Sequence, residues 1–143
     1  MPDLFVYGTL RFPEVLDALL GRVPELTPAG APGWRAAALP GRVYPGLVPA
    51  AGTADGLLVG GLGADELALL HAYEDVEYEV VEIRLTDGRP ALAYRWLHEA
   101  LDEDWDPEWF ATRVLAAYVP GCAAWRAEYR AGPGAFPGPS GRG

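Results

Sequence analysis

The sequence contains no lysine, and it has only one serine, one cysteine and two histidines. Without lysine, neither Schiff-base catalysis nor a Walker-type phosphate loop is available. The single serine, Ser140, lies in a Gly/Pro-rich C-terminal stretch and is a poor candidate for a nucleophile. Cys122 cannot form an internal disulfide, and its spacing from His71 and His98 fits no common zinc-ligand pattern. Any catalysis therefore depends on carboxylates, tyrosines and backbone groups.

Positive charge is also scarce, since 11 basic residues stand against 20 acidic ones and give a formal net charge of −9. This excess disfavours nucleic acids and anionic membrane surfaces as partners, because their phosphates are repelled. No apolar run approaches the roughly 20 residues needed to span a bilayer. Asp3 stands where a signal peptide has its basic segment. We therefore expect a soluble, cytoplasmic protein; a small-molecule ligand remains compatible with this charge, and the oligomeric state is not indicated.

The length and composition fit a single globular domain. We expect this domain to span residues 1–130 and to be followed by a flexible Gly/Pro-rich tail at 131–143. The apolar run Leu4–Tyr7 predicts an internal strand. A glycine turn follows, and then a short helix between Pro13 and Gly21.

The middle of the chain is rich in Pro, Gly and Ala. Between Pro24 and Gly56 this composition predicts short strands and ordered loops, with Trp34 and Tyr44 as anchors. Residues 56–59 predict a further strand. A helix is then expected from Asp65, with four apolar or aromatic residues on it: Leu67, Leu69, Leu70 and Tyr73.

The strongest local signal is a hairpin in residues 78–97. Two β-rich runs flank Asp87-Gly88, a pair that favours a tight hairpin turn. After an acidic stretch, Pro107 predicts the start of another helix. Its buried side is expected to be Phe110, Val114, Leu115 and Tyr118.

The first candidate site is the turn in DLFVYGTLR, where the strand ends at Gly8. A glycine directly after a strand lets backbone N–H groups converge on one point and bind an anion. The simpler interpretation is that Gly8 only turns a corner. Without lysine or further glycines, a carboxylate fits such a nest better than a pyrophosphate.

The second candidate is Glu74, at the expected end of the helix that begins at Asp65. The C-terminus of a helix carries partial negative charge, so we expect the pKa of this carboxyl to be raised. A raised pKa suits a group that both accepts and releases protons. The alternative is that Glu74, Asp75, Glu77 and Glu79 are a solvated run of charge.

The acidic segment DEDWDPE, residues 102–108, offers oxygen ligands for a hard cation but lacks EF-hand spacing and its glycine. A solvated loop with Asp106 as the N-cap of the next helix explains it better. Cys122, His71 and His98 are expected to be packing or surface residues, although His71 lies close enough to Glu74 in sequence to influence it.

Together these segments resemble a known superfamily. LFVYGTLR, a central YPGLVP and AYEDVEYE before a strand are similar to the γ-glutamylcyclotransferase-like proteins, to roughly Trp125. The nearest branch is that of small bacterial and plant proteins, which includes γ-glutamylamine cyclotransferases. The resemblance implies an α+β fold: a compact mixed β-barrel with helices packed outside.

The resemblance also implies a reaction. Tyr7, Gly8, Thr9 and Leu10 would hold the α-carboxylate of a γ-glutamyl group through backbone amides, and Glu74 would be the catalytic acid–base. The α-amine of the substrate attacks its own γ-carbonyl and releases 5-oxoproline and an amine. Because nucleophile and electrophile belong to one molecule, neither an enzyme nucleophile nor a metal or organic cofactor is needed.

The sequence departs from the family pattern near Glu74. Asp75 replaces the usual glycine, His71 stands where aspartate is common, and Glu79 and Val80 follow Tyr78 where the family often has arginine. No motif marks the leaving group, so an amino acid, a peptide and a simple amine all remain open. A non-catalytic module that binds a small carboxylate is the alternative function, and a structural domain without a pocket is a third.

Overall fold

The computed structural model of the chain describes residues 3–74 and 77–131. Its strands are β1 (Leu4–Val6), β2 (Glu25–Ala37), β3 (Gly46–Gly60), β4 (Tyr78–Arg84) and β5 (Pro90–Trp96). Its helices are α1 (Pro13–Leu20), α2 (Ala64–Glu74), α3 (Pro107–Arg113) and α4 (Leu115–Ala131). A short 3-10 turn, Thr9–Arg11, joins β1 to α1. Among these described residues, no helix combines the length and the apolar character needed to cross a membrane.

The strands form one mixed sheet in the order β2-β3-β1-β5-β4. The short strand β1 is central: it runs antiparallel to β3, with Phe5 opposite Leu58, and parallel to β5, with Leu4 opposite Leu92. The expected internal strand at the N-terminus is therefore confirmed, and every residue of β1 is fully buried. Burial on both faces explains why this strand is apolar without alternation.

The sheet is strongly curved but does not close. The amide of Thr86, just after β4, donates to the carbonyl of Gly30 in β2 at 3.0 Å. Beyond this bond, no ladder of pairings joins β2 to β4 in the described part of the chain. The predicted mixed α+β fold is confirmed, but the word barrel describes this open sheet only loosely.

The two faces of β1 contribute to different parts of the core. Leu4 and Val6 pack with the helices, whose apolar residues include Leu16, Leu70 and Trp125. Phe5 and Tyr7 point to the opposite face, where the curved sheet packs on itself through small residues: Ala31, Ala54, Ala91 and Ala93. These alanines allow close approach of the strands on the inner face of the curve.

Two expectations about elements are wrong in detail. Residues 24–56 form no short strands but two long ones, because prolines are tolerated on an edge strand, where one set of N–H groups faces away from the sheet. Pro28 and Pro32 both lie on the edge strand β2. The helix that begins at Pro107 is interrupted at Val114, whose backbone leaves the helical region at φ −124°, and α4 starts at the next residue.

The remaining predicted elements are confirmed. Helix α1 begins at Pro13 and ends at Gly21, which has the left-handed φ of 79° that favours glycine. The hairpin between β4 and β5 turns at Gly88, with φ 88°. Helix α2 begins one residue before Asp65, and buries Leu67, Leu69, Leu70 and Tyr73 as expected.

Candidate active site

The turn after β1 lies inside the protein rather than on its surface. Gly8, Thr9 and Leu10 are all buried. The amide of Arg11 donates to the carbonyl of Gly8 at 3.0 Å and closes the 3-10 turn. The first amides of such a turn have no acceptor within the turn itself, so they point away from it. The amides at the start of this turn are therefore the groups expected to act as donors to acceptors outside it.

Glu74 is the last residue of α2, and only 1% of its surface is exposed. The predicted helix from Asp65 reaches Glu74, its last described residue, and the alternative of a solvated charge run is wrong for Glu74 itself. The helix is held in place by Leu70 and Tyr73, which are buried in the core against the other helices. Asp75 and Val76 follow directly, and both lie outside the described residues. The predicted effect of Asp75 on the turn therefore stays a prediction.

Three buried tyrosines lie within the electrostatic influence of Glu74. Burial and then the charge of Glu74 raise the pKa of Tyr7 and of Tyr94. Burial, the neighbouring Tyr7 and then Glu74 raise the pKa of Tyr78. All three hydroxyls are therefore neutral near pH 7. Because Tyr7 immediately precedes Gly8, the structure brings the N-terminal turn and Glu74 into one region.

Hydrogen bonds fix the orientation of these tyrosines. The Tyr7 hydroxyl donates to the backbone carbonyl of Tyr94 at 2.6 Å, a contact between residues 87 positions apart. The Tyr78 hydroxyl donates to the carbonyl of Pro45 at 2.8 Å. The Tyr94 hydroxyl lies 2.7 Å from Nδ1 of His71. The region around Glu74 thus contains oriented aromatic groups from β4, from β5 and from the residue that follows β1.

Sequence reasoning missed Tyr94 and did not single out Tyr78 as a site residue. Both sit in the predicted hairpin, where Tyr78 pairs with Trp96 and Tyr94 with Val80. For Tyr94, the local sequence shows only a tyrosine within an apolar strand, and this pattern does not indicate a site. That its hydroxyl meets α2 depends on β1 lying between β3 and β5, which no local pattern encodes.

The segment Tyr44–Gly46 packs against β4 and β5 through Tyr78 and Trp96. A Cβ atom on Gly46 would lie 2.6 Å from Cβ of Trp96, so only glycine lets these backbones approach. Arg42 bonds Glu77 at 2.9 Å and lies 5.0 Å above the Trp96 ring. Tyr44 is buried, as expected of an anchor, whereas Trp34 is only partly buried.

Cys122 is a packing residue, as expected. It is 2% exposed, and its Sγ lies 3.3 Å from the hydroxyl of Tyr73. The same hydroxyl donates to that of Tyr118 at 3.1 Å. These contacts attach the end of α2 to α4.

The acidic segment before α3 has a structural role. The Asp106 side chain accepts hydrogen bonds from the amides of Glu108 and Trp109, which confirms the predicted N-cap. Asp104 forms an ion pair with Arg35 at 3.1 Å. Within residues 3–74 and 77–131, no three histidine, cysteine or acidic side chains cluster as metal ligands do.

A cleft of about 260 Å³ opens beside Tyr7. Charged residues of both signs line it, namely Arg11 and Arg35 together with Asp55 and Asp104. Arg35 is already bound to Asp104 and to backbone carbonyls of the acidic segment. Arg11, the last residue of the 3-10 turn, is the second guanidinium that lines the cleft.

Comparison with known proteins gives a consistent result. Residues 4–111 match the family described as gamma-glutamyl cyclotransferase, AIG2-like. AIG2-like protein C of Arabidopsis thaliana is 42% identical over 113 residues, which cover 75% of this chain and 65% of that protein. AIG2-like protein A of the same plant is 37% identical over 113 residues, covering 75% of this chain and 68% of that protein. The chain thus spans about two thirds of the length of these relatives.

Solved structures share the fold. The solution structure of an Arabidopsis thaliana protein that is 31% identical superposes with a TM-score of 0.63, covering 84% of this chain and 87% of that one. The mixed sheet with its surrounding helices is therefore that of the relatives.

Proposed function

Because the chain belongs to the AIG2-like γ-glutamyl cyclotransferase family, we propose that it is a cyclotransferase that releases 5-oxoproline from a small γ-glutamyl compound. The observation that carries this proposal is the burial of Glu74 beside the turn that starts at Tyr7. Burying a carboxylate is costly, because its charge loses hydration. A catalytic task for Glu74 would explain why the fold retains this cost.

The turn Tyr7–Leu10 binds the α-carboxylate of the γ-glutamyl group. Backbone amides at the start of a 3-10 turn supply the donors, and no lysine is needed. Anchoring this carboxylate folds the flexible side chain so that the α-nitrogen approaches the γ-carbonyl.

Glu74 then moves the proton. It accepts a proton from the α-nitrogen as the bond from that nitrogen to the γ-carbon forms. It returns a proton to the departing nitrogen as the amide bond breaks. Water is excluded from this carboxylate, because only 1% of its surface is exposed.

The surrounding tyrosines shape the site without ionising. Their raised pKa values keep Tyr7, Tyr78 and Tyr94 as neutral phenols near pH 7. A neutral phenol adds no negative charge beside Glu74 and can orient a polar substrate atom.

The test is a panel of γ-glutamyl amino acids, peptides and amines with chromatographic detection of 5-oxoproline. We expect Glu74→Gln to lower kcat by roughly 10² to 10⁴-fold, the contribution typical of a positioned acid–base. Glu82→Gln is the matched control, because Glu82 is an exposed carboxylate on β4, and we expect it to retain wild-type turnover. Thermal unfolding of each variant separates lost chemistry from lost fold.

The outcomes decide between the two functions. No 5-oxoproline from any member of the panel with the wild-type protein rejects the cyclotransferase. Binding of γ-glutamyl compounds without turnover, unchanged in Glu74→Gln, indicates instead a module that only binds small carboxylates.

The cleft beside Tyr7 supports a charged leaving group. Arg11 borders it and can bind a carboxylate on the departing amine. We expect Arg11→Gln to raise KM about tenfold, or 1.4 kcal/mol, for γ-glutamyl amino acids. For γ-glutamyl derivatives of simple alkylamines KM should not change. Equal effects on both substrate types would contradict a role for Arg11 in recognising the leaving group.

A further inference from the structure

An arginine on β2 binds the chain just before α3 along its backbone. The guanidinium of Arg35 donates to three successive carbonyls, those of Leu101, Asp102 and Glu103. It also donates to the carboxylate of Asp104 at 3.1 Å. Hydrogen bonds from a charged donor are stronger than those between neutral groups. These four contacts, which we call the Arg35 clamp, hold four consecutive residues with one side chain.

Backbone hydrogen bonds attach the same segment to the edge of the sheet. Strand β2 lies at the end of the strand order and pairs with β3 on one side only. Near the end of β2, the amide of Trp105 donates to the carbonyl of Ala36 at 2.9 Å. The amide of Ala38 donates to the carbonyl of Glu103, also at 2.9 Å. Because these bonds do not involve the Arg35 side chain, we expect a variant at this position to fold.

The clamped segment forms part of the cleft beside Tyr7. Asp104 and Trp105 line this cleft together with Arg35, and the lining also includes residues of β3 and Arg11 of the 3-10 turn. The cleft volume of about 260 Å³ is smaller than the roughly 300 to 1,000 Å³ typical of pockets for drug-sized ligands. In a cleft of this size, the position of each wall decides which groups fit.

The charge of the acidic segment explains why an arginine holds it. Residues 102–108 include five acidic side chains. Among the residues that the structure describes, Arg35 is the only cation that forms an ion pair with any of them. Its partner Asp104 has a side chain that is 75% exposed, and an exposed ion pair contributes little to stability. The three bonds to carbonyls are therefore the part of the clamp that fixes the wall.

We propose that Arg35 is a positioning residue for substrate specificity: it holds the acidic segment as a fixed wall and so limits the size of the leaving amine. This inference rests on the proposed function, in which the cleft receives the leaving group. It names compact amines, such as small amino acids, as the preferred class. Loss of Arg35 leaves Glu74 and the turn after β1 in place but lets the wall move, so larger leaving groups enter.

The first test compares two substrates that differ only in size. γ-Glutamylalanine and γ-glutamylphenylalanine carry the same charges, so a contribution of Arg11 cancels in the ratio of their kcat/KM values. We expect the wild-type protein to prefer γ-glutamylalanine. Arg35→Gln should lower this preference about tenfold, at the lower end of the discrimination that one methylene gives in an apolar pocket. Its kcat on γ-glutamylalanine should stay close to that of the wild type, because Arg35 contacts none of the reacting groups.

Two further variants serve as controls. Arg22 also binds a carboxylate and a backbone carbonyl, those of Glu66 and Gly61, but it does not line the cleft. We therefore expect wild-type selectivity in Arg22→Gln. Asp104→Asn keeps the three carbonyl acceptors of the clamp and should retain most of the selectivity as well.

Several results would overturn the proposal. These are a wild-type preference for γ-glutamylphenylalanine, unchanged selectivity in a folded Arg35→Gln, or an equal loss in Arg22→Gln. A loss in Asp104→Asn as large as that in Arg35→Gln contradicts the assignment to the carbonyl bonds. If Arg35→Gln unfolds, Arg35→Lys replaces it, since one ammonium lacks the planar fork that binds several acceptors at once.

The second test needs no turnover. Amide hydrogen exchange followed by NMR measures how firmly the segment is held. In Arg35→Gln we expect the amides of Ala38 and Trp105 to exchange about tenfold faster than in the wild type. The amide of Leu92, which donates to the carbonyl of Asp3, is the internal reference and should not change. Unchanged exchange at Ala38 and Trp105 rejects the clamp. If no γ-glutamyl compound is turned over, the proposed function fails, while exchange still decides whether Arg35 holds the wall.

Discussion

At the scale of single residues, two carboxylates near acidic runs have opposite environments. Asp106 is exposed and caps α3, and the pattern of an aspartate before a helix-starting proline predicted this role. Glu74 lies in an acidic run of similar appearance but is buried. The place of each residue relative to a helix was predictable: Asp106 before the start of α3, and Glu74 in the C-terminal part of α2. The burial of Glu74 was not, because it depends on the packing of segments that are far apart in the chain.

The Asp106 cap should be measurable in isolation. We expect Asp106→Ala to lower the free energy of unfolding by about 1 kcal/mol, because the amides of Glu108 and Trp109 lose their acceptor. Asp106→Asn keeps an oxygen acceptor and should stay within a few tenths of a kcal/mol of the wild type. Urea denaturation measures both. Equal losses in the two variants would show that charge, rather than the hydrogen bonds, matters.

At the scale of elements, local chemistry and long-range pairing differ in what the sequence predicts. The β4–β5 hairpin follows from Asp87-Gly88, since this pair adopts the required turn with few alternatives. The long β2–β3 pair was missed because Pro28 and Pro32 suggested loops. Only the position of β2 at the sheet edge makes these prolines acceptable, and that position is a property of the assembled sheet.

Packing of the central strand gives an element-scale prediction. A Cβ atom at Gly56 would collide with the carbonyl oxygen of Val6 and lie 2.8 Å from Cζ of Phe5. We expect Gly56→Ala to cost about 1 to 3 kcal/mol of unfolding free energy, because β1 and β3 must move apart. Gly52 is the control on the same strand, since a Cβ there meets nothing within 4 Å. Denaturant unfolding that ranked Gly52→Ala as the more damaging change would contradict this packing.

At the scale of the whole molecule, stability should depend on pH through His71. Its pKa in the folded protein is lowered by burial, so the unfolded chain binds a proton more readily. Stability is therefore complete above the unfolded pKa of about 6.5 and decreases as pH falls through it, levelling below the folded pKa. We expect His71→Gln to have a flatter dependence of Tm on pH between about 5 and 8. An identical slope in the variant would contradict the effect.

The fold and the candidate site were predictable to different degrees at this scale. The mixed α+β class and the starts of α1, α2 and α3 follow from apolar patterns, prolines and glycines, whereas the start of α4 at Leu115 was not predicted. The openness of the sheet does not follow from such patterns, because the pairing of its edge strands depends on positions far apart in the chain, such as Thr86 and Gly30. The resemblance of the Tyr7–Leu10 and Glu74 segments to one family predicts that these two positions share a site.

The central place of β1 has a consequence for synthesis on the ribosome. This strand leaves the exit tunnel first, yet its hydrogen-bonding neighbours are β3 and β5, and β5 ends only at Trp96. Until β5 emerges, the Tyr7 hydroxyl has no carbonyl of Tyr94 to bind. The nascent chain therefore carries an apolar strand that stays unpaired until β5 is synthesised. A truncated product that ends before Pro90 would lack the pocket and would expose this apolar, aggregation-prone segment to chaperones.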